Sequence, residues 1–340
     1  MATKLVLAFT GDVMLGRGVN EAVRFEGPAW PWGNMVEPLK AADLRFINLE
    51  CVIAAAGEPW SRTPKTFLFK ADPVAMETLK LADIDFVALA NNHSLDFEVE
   101  AMVEMLDRLD AAGIARAGAG RDLDEASRPA RLEAKGVRIA AISITDNEPV
   151  WAAAPGHPGV EYLPISIEPR NLARAAALIK RARRGADLVI LSAHWGPNMV
   201  EAPTAVFRRF ARAVVDAGVD IFHGHSAHIF QGIEIYKRKV IMYDTGDFVD
   251  DYVVDPMLRN DLSFLFLVTV EEGRPKVVEL VPTRIDKYQV NKATGADADA
   301  AMGKMIALSA EIGTKVERVD NTLRVEVPEP LRTRHFGRSA

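Results

Sequence analysis

Six side chains able to bind a metal ion stand at the ends of short apolar runs. Asp12 closes Phe-Thr-Gly-Asp, Glu50 closes Ile-Asn-Leu-Glu and Asn92 lies in Leu-Ala-Asn-Asn-His; His194 follows Val-Ile-Leu-Ser-Ala, and His225 and His228 lie in Gly-His-Ser-Ala-His. Two carboxylates, an amide oxygen and three imidazoles make a mixed N/O set. That chemistry suits manganese, zinc or iron, whereas calcium takes oxygen ligands and copper(I) prefers sulfur. The set is large enough for one or two divalent ions. Two ions sharing a bridge, roughly 3.5–4 Å apart, clamp the attacking and departing oxygens of a displacement, and a bound hydroxide supplies the nucleophile. His93 has a different part. With Asn92 reaching the metal, His93 faces substrate, and Asp96 three residues on fixes its tautomer, which makes His93 the candidate general acid.

Each residue also has an ordinary reading. A lone Asp after a strand serves turns and helix caps, a strand-end Glu is commonly solvated, and histidines three apart also serve a helix face. His223 reads as a core residue or a neighbour of the ligands, and His157 and His335 as bystanders. The joint occurrence of the motifs is what favours a metal site.

These residues need elements that bring them together. Apolar runs Leu5 to Thr10, Leu44 to Leu49, Phe86 to Ala90, Val137 to Ile144 and Asp187 to Ser192 read as strands, and a Gly-rich, Arg-containing loop follows the first. Helices are expected over Pro73 to Ala82, Glu98 to Ala112, Asn171 to Arg184 and Thr204 to Ala217 from their apolar period and their Pro and Gly punctuation. Strands at Val219 to Phe222, Ile233 to Tyr236, Val240 to Tyr243, Ser263 to Val270 and Val277 to Val281 follow, the last four read as an antiparallel meander. Alternation followed by a meander is a mixed α/β pattern. Open α/β sheets bind ligands at the carboxyl ends of their strands, where the six residues fall. A main unit over residues 1–285 is followed by an extension over 286–340, with a polar linker-like stretch at Asn291 to Ala300, a short helix at Ala301 to Ile312 and a mobile basic tail at Arg332 to Ala340.

Composition narrows the class. The 340 residues are 49% hydrophobic and 26% charged, enough to bury a large core, and the formal net charge of −6 argues against a nucleic-acid partner, as does the lack of an aromatic-basic stripe. The single cysteine, Cys51, excludes an intramolecular disulfide or a thiolate cluster. No stretch approaches a membrane span and the N-terminus lacks a signal-peptide core, so the expectation is a cytoplasmic chain without a membrane anchor.

Arg17, beside Asp12 in a Gly-flanked loop, is the candidate substrate-binding residue, able to fork onto a phosphate or carboxylate. Arg62, Lys65 and Lys70 could extend a cationic track for a polyanion, though an exposed charged loop explains them equally. Asp244, Asp247, Asp250, Asp251 and Asp255 form an acidic group that could add ligands or orient the histidines.

The segments Phe-Thr-Gly-Asp-Val-Met-Leu-Gly-Arg-Gly-Val, Asn-Leu-Glu, Ala-Asn-Asn-His-Ser-Leu-Asp, Gly-Ala-Gly-Arg-Asp, His-Trp-Gly, Gly-His-Ser-Ala-His-Ile-Phe-Gln-Gly-Ile-Glu and Gly-Asp-Phe-Val-Asp-Asp run in order from Phe9 to Asp251. Together they resemble the CapA family, linked to bacterial poly-γ-glutamate, within the calcineurin-like metallophosphoesterase superfamily. The resemblance implies a four-layer αββα sandwich, two mixed sheets flanked by helices, with a dinuclear site at one end. By it, Asp12 is the first-motif aspartate and Glu50 stands where a bridging aspartate is usual. Asn92 is the asparagine ligand, His93 the catalytic histidine, His194 the isolated histidine, and His225 and His228 the closing motif. Three motifs depart. Met14 replaces a histidine, Ser226 and Ala227 replace His-Pro, and Asp247 replaces an amide. Fewer imidazoles favour manganese over zinc. The implied activity is a metal-dependent hydrolase acting on a small phosphoester or a γ-glutamyl (polyglutamate) substrate; the competing reading is a non-catalytic metal-binding scaffold of poly-γ-glutamate assembly. Oligomeric state stays open.

Overall fold

The computed structural model describes residues 4–329. The chain runs in three blocks. The first alternates: β1 (Lys4–Val13), α1 (Arg17–Glu26), β2 (Leu44–Leu49), α2 (Ala75–Leu81), β3 (Phe86–Ala88), α3 (Glu98–Ala112) and β4 (Ala115–Ala117). The second holds β5 (Ala130–Ala134), β6 (Val137–Thr145), α4 (Pro169–Arg183), β7 (Leu188–His194), α5 (Ala205–Ala217), β8 (Ile221–His225), β9 (Ile233–Tyr236) and β10 (Lys239–Met242). The third returns with β11 (Asp247–Val249), β12 (Leu262–Glu271), β13 (Arg274–Asp286), β14 (Gln289–Lys292), α6 (Gly295–Glu311), β15 (Glu317–Val319) and β16 (Thr322–Glu326).

The first and third blocks build a ten-stranded sheet ordered β15-β16-β13-β12-β1-β2-β3-β4, with β11 paired to β1 and β14 to β13. The second block builds a six-stranded sheet ordered β9-β10-β8-β7-β6-β5. Both are mixed: β1 to β4 run parallel, as do β6, β7, β8 and β10, while β12 and β5 join antiparallel. Three apolar clusters separate the layers. One packs α1, α2 and α3 on the outer face of the large sheet, one fills the space between the sheets, and one packs α4 and α5 on the small sheet. This is the expected αββα order.

Alternation along each strand fixes which residues face the middle layer. Leu44 and Phe46, Leu188 and Ile190, and Ile221 point into the inter-sheet cluster, while Ile47 and Leu49, Val189 and Leu191, and Phe222 point outward. Continued by two residues at a time, the inward stripe turns polar: Asn48 and Glu50, Ser192 and His194, His223 and His225. β1 needs a correction of parity, because Leu5, Leu7 and Phe9 face inward yet Val13 packs outward. A register irregularity between Phe9 and Asp12 supplies it. Such a bulge shifts later side chains to the other face, and Asp12 thereby joins the inward stripe. Gly11 is required at that point, since a Cβ there would lie 1.8 Å from the Gly246 carbonyl oxygen.

The other ends of these strands share a device. Asp43, Asp85, Asp187 and Asp220 immediately precede β2, β3, β7 and β8, and each carboxylate accepts the backbone N–H of a residue in the adjoining strand: Val6 (2.8 Å), Arg45 (2.8 Å), Arg138 (3.0 Å) and Val189 (2.7 Å). Each also pairs with a cation, from Lys135, Arg45, Arg138, and Arg183 with Lys239 respectively.

Several expectations are corrected. The loop after β1 is short, and Arg17 opens helix α1. The four-strand meander is two hairpins in different sheets, β9–β10 and β12–β13. The linker-like stretch at 291–300 is instead the end of β14 and the start of a long α6, whose Ala298, Ala301, Met302 and Met305 enter the inter-sheet core. β16 then pairs with β13. The basic tail at Arg332 to Ala340 lies outside the described residues. Among the described residues, no helix is long and apolar enough to cross a membrane.

Candidate metal centre

The polar ends of the inward stripes meet between the sheets. β1, β2 and β11 bring Asp12, Asn48 and Asp247 into one row by register, and the small sheet aligns His194 with His225. Asn48 donates to Asp12 Oδ1 at 2.7 Å and lies 3.4 Å from His194 Nδ1, so it ties the two sheets across the gap. His194 Nδ1 is 3.0 Å from His225 Nδ1, and His225 Nδ1 is 3.5 Å from Asp12 Oδ1. His225 Nε2 is held by Ser192 at 2.8 Å. On the other flank, His228 Nδ1 lies 2.9 Å from Asp247 Oδ1 and 3.6 Å from Asp12 Oδ2. Glu50 Oε1 lies 3.9 Å from His194 Nε2 and 3.8 Å from His93 Nε2.

Two groups of potential ligands result, Asp12–His194–His225 and Asp12–Glu50–His228–Asp247, with their ligand atoms within 4.8 Å of one another in each. Asp12 belongs to both. Asp12 Oδ2, Glu50 Oε1, Asn92 Oδ1 and Asp247 Oδ2 are buried without a hydrogen-bond partner. Buried polar atoms are normally paired, and several orphaned oxygens facing imidazoles form the donor set a divalent cation completes. The residues fit the ion.

Electrostatics tell the same story. Burial lifts the Asp12 carboxyl to about 6 and pushes Glu50 and Asp247 well above the usual carboxylate range, with neighbouring acids adding to it. Burial favours neutral His194 and His225, the ligand form of imidazole, and lowers His93 as well, with Lys65 adding to it. His228 rises despite its burial, because Glu50 and Asp12 face it. The protein itself supplies too little positive charge here. The backbone is strained alongside, with Ser226 at φ 116° and His228 at φ 60°, conformations that persist only where surroundings enforce them.

The segment after β3 adds His93. Its Nδ1 lies 2.5 Å from Asp96 Oδ2, which also accepts the Phe69 N–H at 2.6 Å, and Phe69 stacks on the imidazole with centroids 3.9 Å apart. Lys65 turns inward rather than lining a surface track: its ammonium meets the Asn92 carbonyl at 2.5 Å, Asp96 Oδ1 at 3.5 Å and the Trp151 ring at 4.8 Å. Arg62 pairs with Glu98 and Lys70 sits over Phe97, so the two do not continue a track. Arg17 sits at the rim of a cavity of about 520 Å³ lined also by Lys65, Phe69, His93, His228 and Tyr252. Asp251 clamps its guanidinium, which lies over the Phe69 ring at 4.9 Å.

The sequence expectation gave no role to Asn48, whose signals were an amide within a mostly apolar strand and its place in the Asn-Leu-Glu segment, or to Tyr252, whose hydroxyl donates to Glu50 at 3.3 Å. His223 Nε2 donates to the Thr10 carbonyl (2.8 Å) in the core, and exposed His157 hydrogen-bonds the Pro155 carbonyl of its own loop. Met14 is buried and its sulfur accepts the Gly16 N–H at 3.0 Å.

The model of the bacterial capsule synthesis protein PGA_cap family matches residues 6–252. The chain belongs to this family. Among curated relatives of this PGA_cap chain, a protein named probable polyglutamine synthesis accessory protein from Mycobacterium tuberculosis is 31% identical, with 93% of this chain and 94% of the relative aligned. The capsule biosynthesis protein CapA of Bacillus anthracis is 26% identical over 95% of this chain and 78% of its own length. The PGA biosynthesis protein CapA of Bacillus subtilis is 32% identical over 73% and 63% respectively. The PGA_cap match ends just past Asp251, so it takes in all seven potential ligands.

Proposed function

We propose that this PGA_cap chain is a metal-dependent hydrolase of a phosphoester or γ-glutamyl bond in poly-γ-glutamate metabolism. The carrying observation is the convergence of Asp12, Glu50 and Asp247 oxygens, all unpartnered and buried, on three imidazoles, with the Asn92 amide oxygen also buried and unpartnered. Divalent cations bound there, with manganese favoured by the oxygen-rich flank, would acidify a coordinated water and polarise the bond to be cleaved. The protein's own residues account for the rest. Asp96 and Phe69 fix the His93 ring so that Nδ1 is engaged and Nε2 faces the cavity; because burial disfavours the charged ring, His93 would first take up a proton at Nε2 and then pass it to a leaving group. Asp251 holds the Arg17 guanidinium at the rim, and its remaining N–H groups would bind the anionic part of the substrate.

A non-catalytic scaffold is the second reading. It is favoured by Met14, which packs in the core where a further imidazole would otherwise stand, and by the word accessory in the name of a relative. Metal analysis with turnover of an aryl phosphate and of poly-γ-glutamate separates them. Hydrolysis by the metal-loaded chain that falls about 10²–10⁴-fold in His93→Ala, with metal content retained, supports the enzyme. Bound metal with no turnover of either substrate supports the scaffold.

A further inference from the structure

Lys65 is a buried cation that the chemistry above does not use. It lies in residues 54–69, a segment with no helix or strand, where a lysine ordinarily reaches into solvent. Its side chain is only 7% exposed, against 62% for Arg62 three residues earlier. Burying an ammonium is costly unless it is paired and hydrogen-bonded. The Lys65 ammonium donates to the Asn92 carbonyl at 2.5 Å, lies 3.5 Å from Asp96 Oδ1 and 3.4 Å from Glu148 Oε1, and sits over the Trp151 ring at 4.8 Å.

Two of these contacts bear on the candidate acid. The Asn92 carbonyl belongs to the peptide that joins Asn92 to His93, so Lys65 grips the backbone between them. Asp96 Oδ2 takes His93 Nδ1 and the Phe69 N–H, while Asp96 Oδ1 is buried without a hydrogen-bond partner. Among the described residues, Lys65 is the only lysine or arginine that pairs with Asp96. Burial pushes Asp96 towards its neutral form, and the Lys65 charge is the leading influence against it. The consequence falls on His93. Beside an ionised Asp96 the neutral ring carries its hydrogen on Nδ1 and keeps a lone pair at Nε2; beside a neutral Asp96 it would accept at Nδ1 and carry the hydrogen on Nε2. Only the first form can take up a proton at Nε2.

We propose that Lys65 is a positioning residue for His93: it holds the Asn92–His93 peptide by its carbonyl and keeps Asp96 an acceptor by its charge, so that Nε2 is left free to receive a proton. Glu148 and the Trp151 face meet the same ammonium and keep it in place. A purely structural lysine would need only its hydrogen bond; the positioning role needs the charge as well. The effect on turnover rests on the hydrolase reading, whereas the state of the His93 ring does not.

Long-range proton–nitrogen NMR of the full chain with isotope-labelled histidine, free of metal and at mildly alkaline pH, shows which His93 nitrogen carries the hydrogen. The His93 signals are assigned by their loss in His93→Gln. The hydrogen is expected on Nδ1 in the parent and on Nε2 in Lys65→Met and Lys65→Gln. Glutamine retains an N–H for the Asn92 carbonyl without the charge, so it decides the matter if Lys65→Met fails to fold. With metal loaded, Lys65→Gln should lower kcat about ten-fold or more while KM and metal content stay within about two-fold of the parent. Hydrogen on Nε2 in the parent, or on Nδ1 in a folded neutral variant, would overturn the proposal, as would an unchanged kcat in Lys65→Gln. A parent that turns over nothing sinks the hydrolase reading alone, and the position of the hydrogen still decides the role of Lys65.

Discussion

The acids at the two ends of the same strands are treated oppositely. Asp43 precedes β2 and Glu50 follows it; Asp220 precedes β8 and His225 ends it. At the opposite end Asp43, Asp85, Asp187 and Asp220 each accept a neighbour's backbone N–H and meet a lysine or arginine. At the metal-centre end of the sheets Asp12, Glu50 and Asp247 are more deeply buried, yet each keeps an oxygen with no partner and burial holds all three above the usual carboxylate range. The residue types are alike. What differs is whether the protein supplies the counter-charge, and that separates carboxylates that stitch the sheets from carboxylates left with an unpartnered oxygen in a possible metal site.

Substitutions at the two ends should therefore behave in opposite ways. Asp220→Ala strips Val189 of its acceptor and leaves Arg183 and Lys239 without their shared partner; a loss of about 1–3 kcal/mol in denaturant unfolding is expected. Asp43→Ala, at a more exposed site with one cation, should cost less, about 1 kcal/mol. Asp12→Asn removes a buried carboxyl that lacks a full set of partners, so in chelator-treated protein stability should change by no more than about 0.5 kcal/mol or rise. A large loss for Asp12→Asn without metal would erase the distinction.

Much of this was legible beforehand. β2 and α3 fall on the expected residues because Leu44, Phe46, Ile47 and Leu49 dominate the first and the helical period of the second runs until left-handed Gly113. The layer order followed from alternation and motif resemblance. Asp12's inward orientation was not legible, since it depends on a bulge that no local pattern announces. Nor was the C-terminal segment, where β14 is a short, mostly polar strand returning on β13 and β16 finds its apolar partners only through long-range pairing to β13. Asn48 escaped for a related reason: an amide in a strand gains meaning only when the facing sheet puts His194 beside it. Asp247 was visible as part of an acidic run, but only pairing with β1 sets it apart from Asp251, which instead clamps Arg17.

The central claim is that the strand-end cluster requires a cation. Thermal or denaturant unfolding of chelator-treated chain, titrated with manganese and with zinc, measures it directly. Stabilisation of about 3–4 kcal/mol at a hundred- to thousand-fold excess over the dissociation constant is predicted for the parent, largely lost in Asp12→Asn and in His194→Ala. Equal stability with and without divalent metal, in parent and variants alike, would contradict the account.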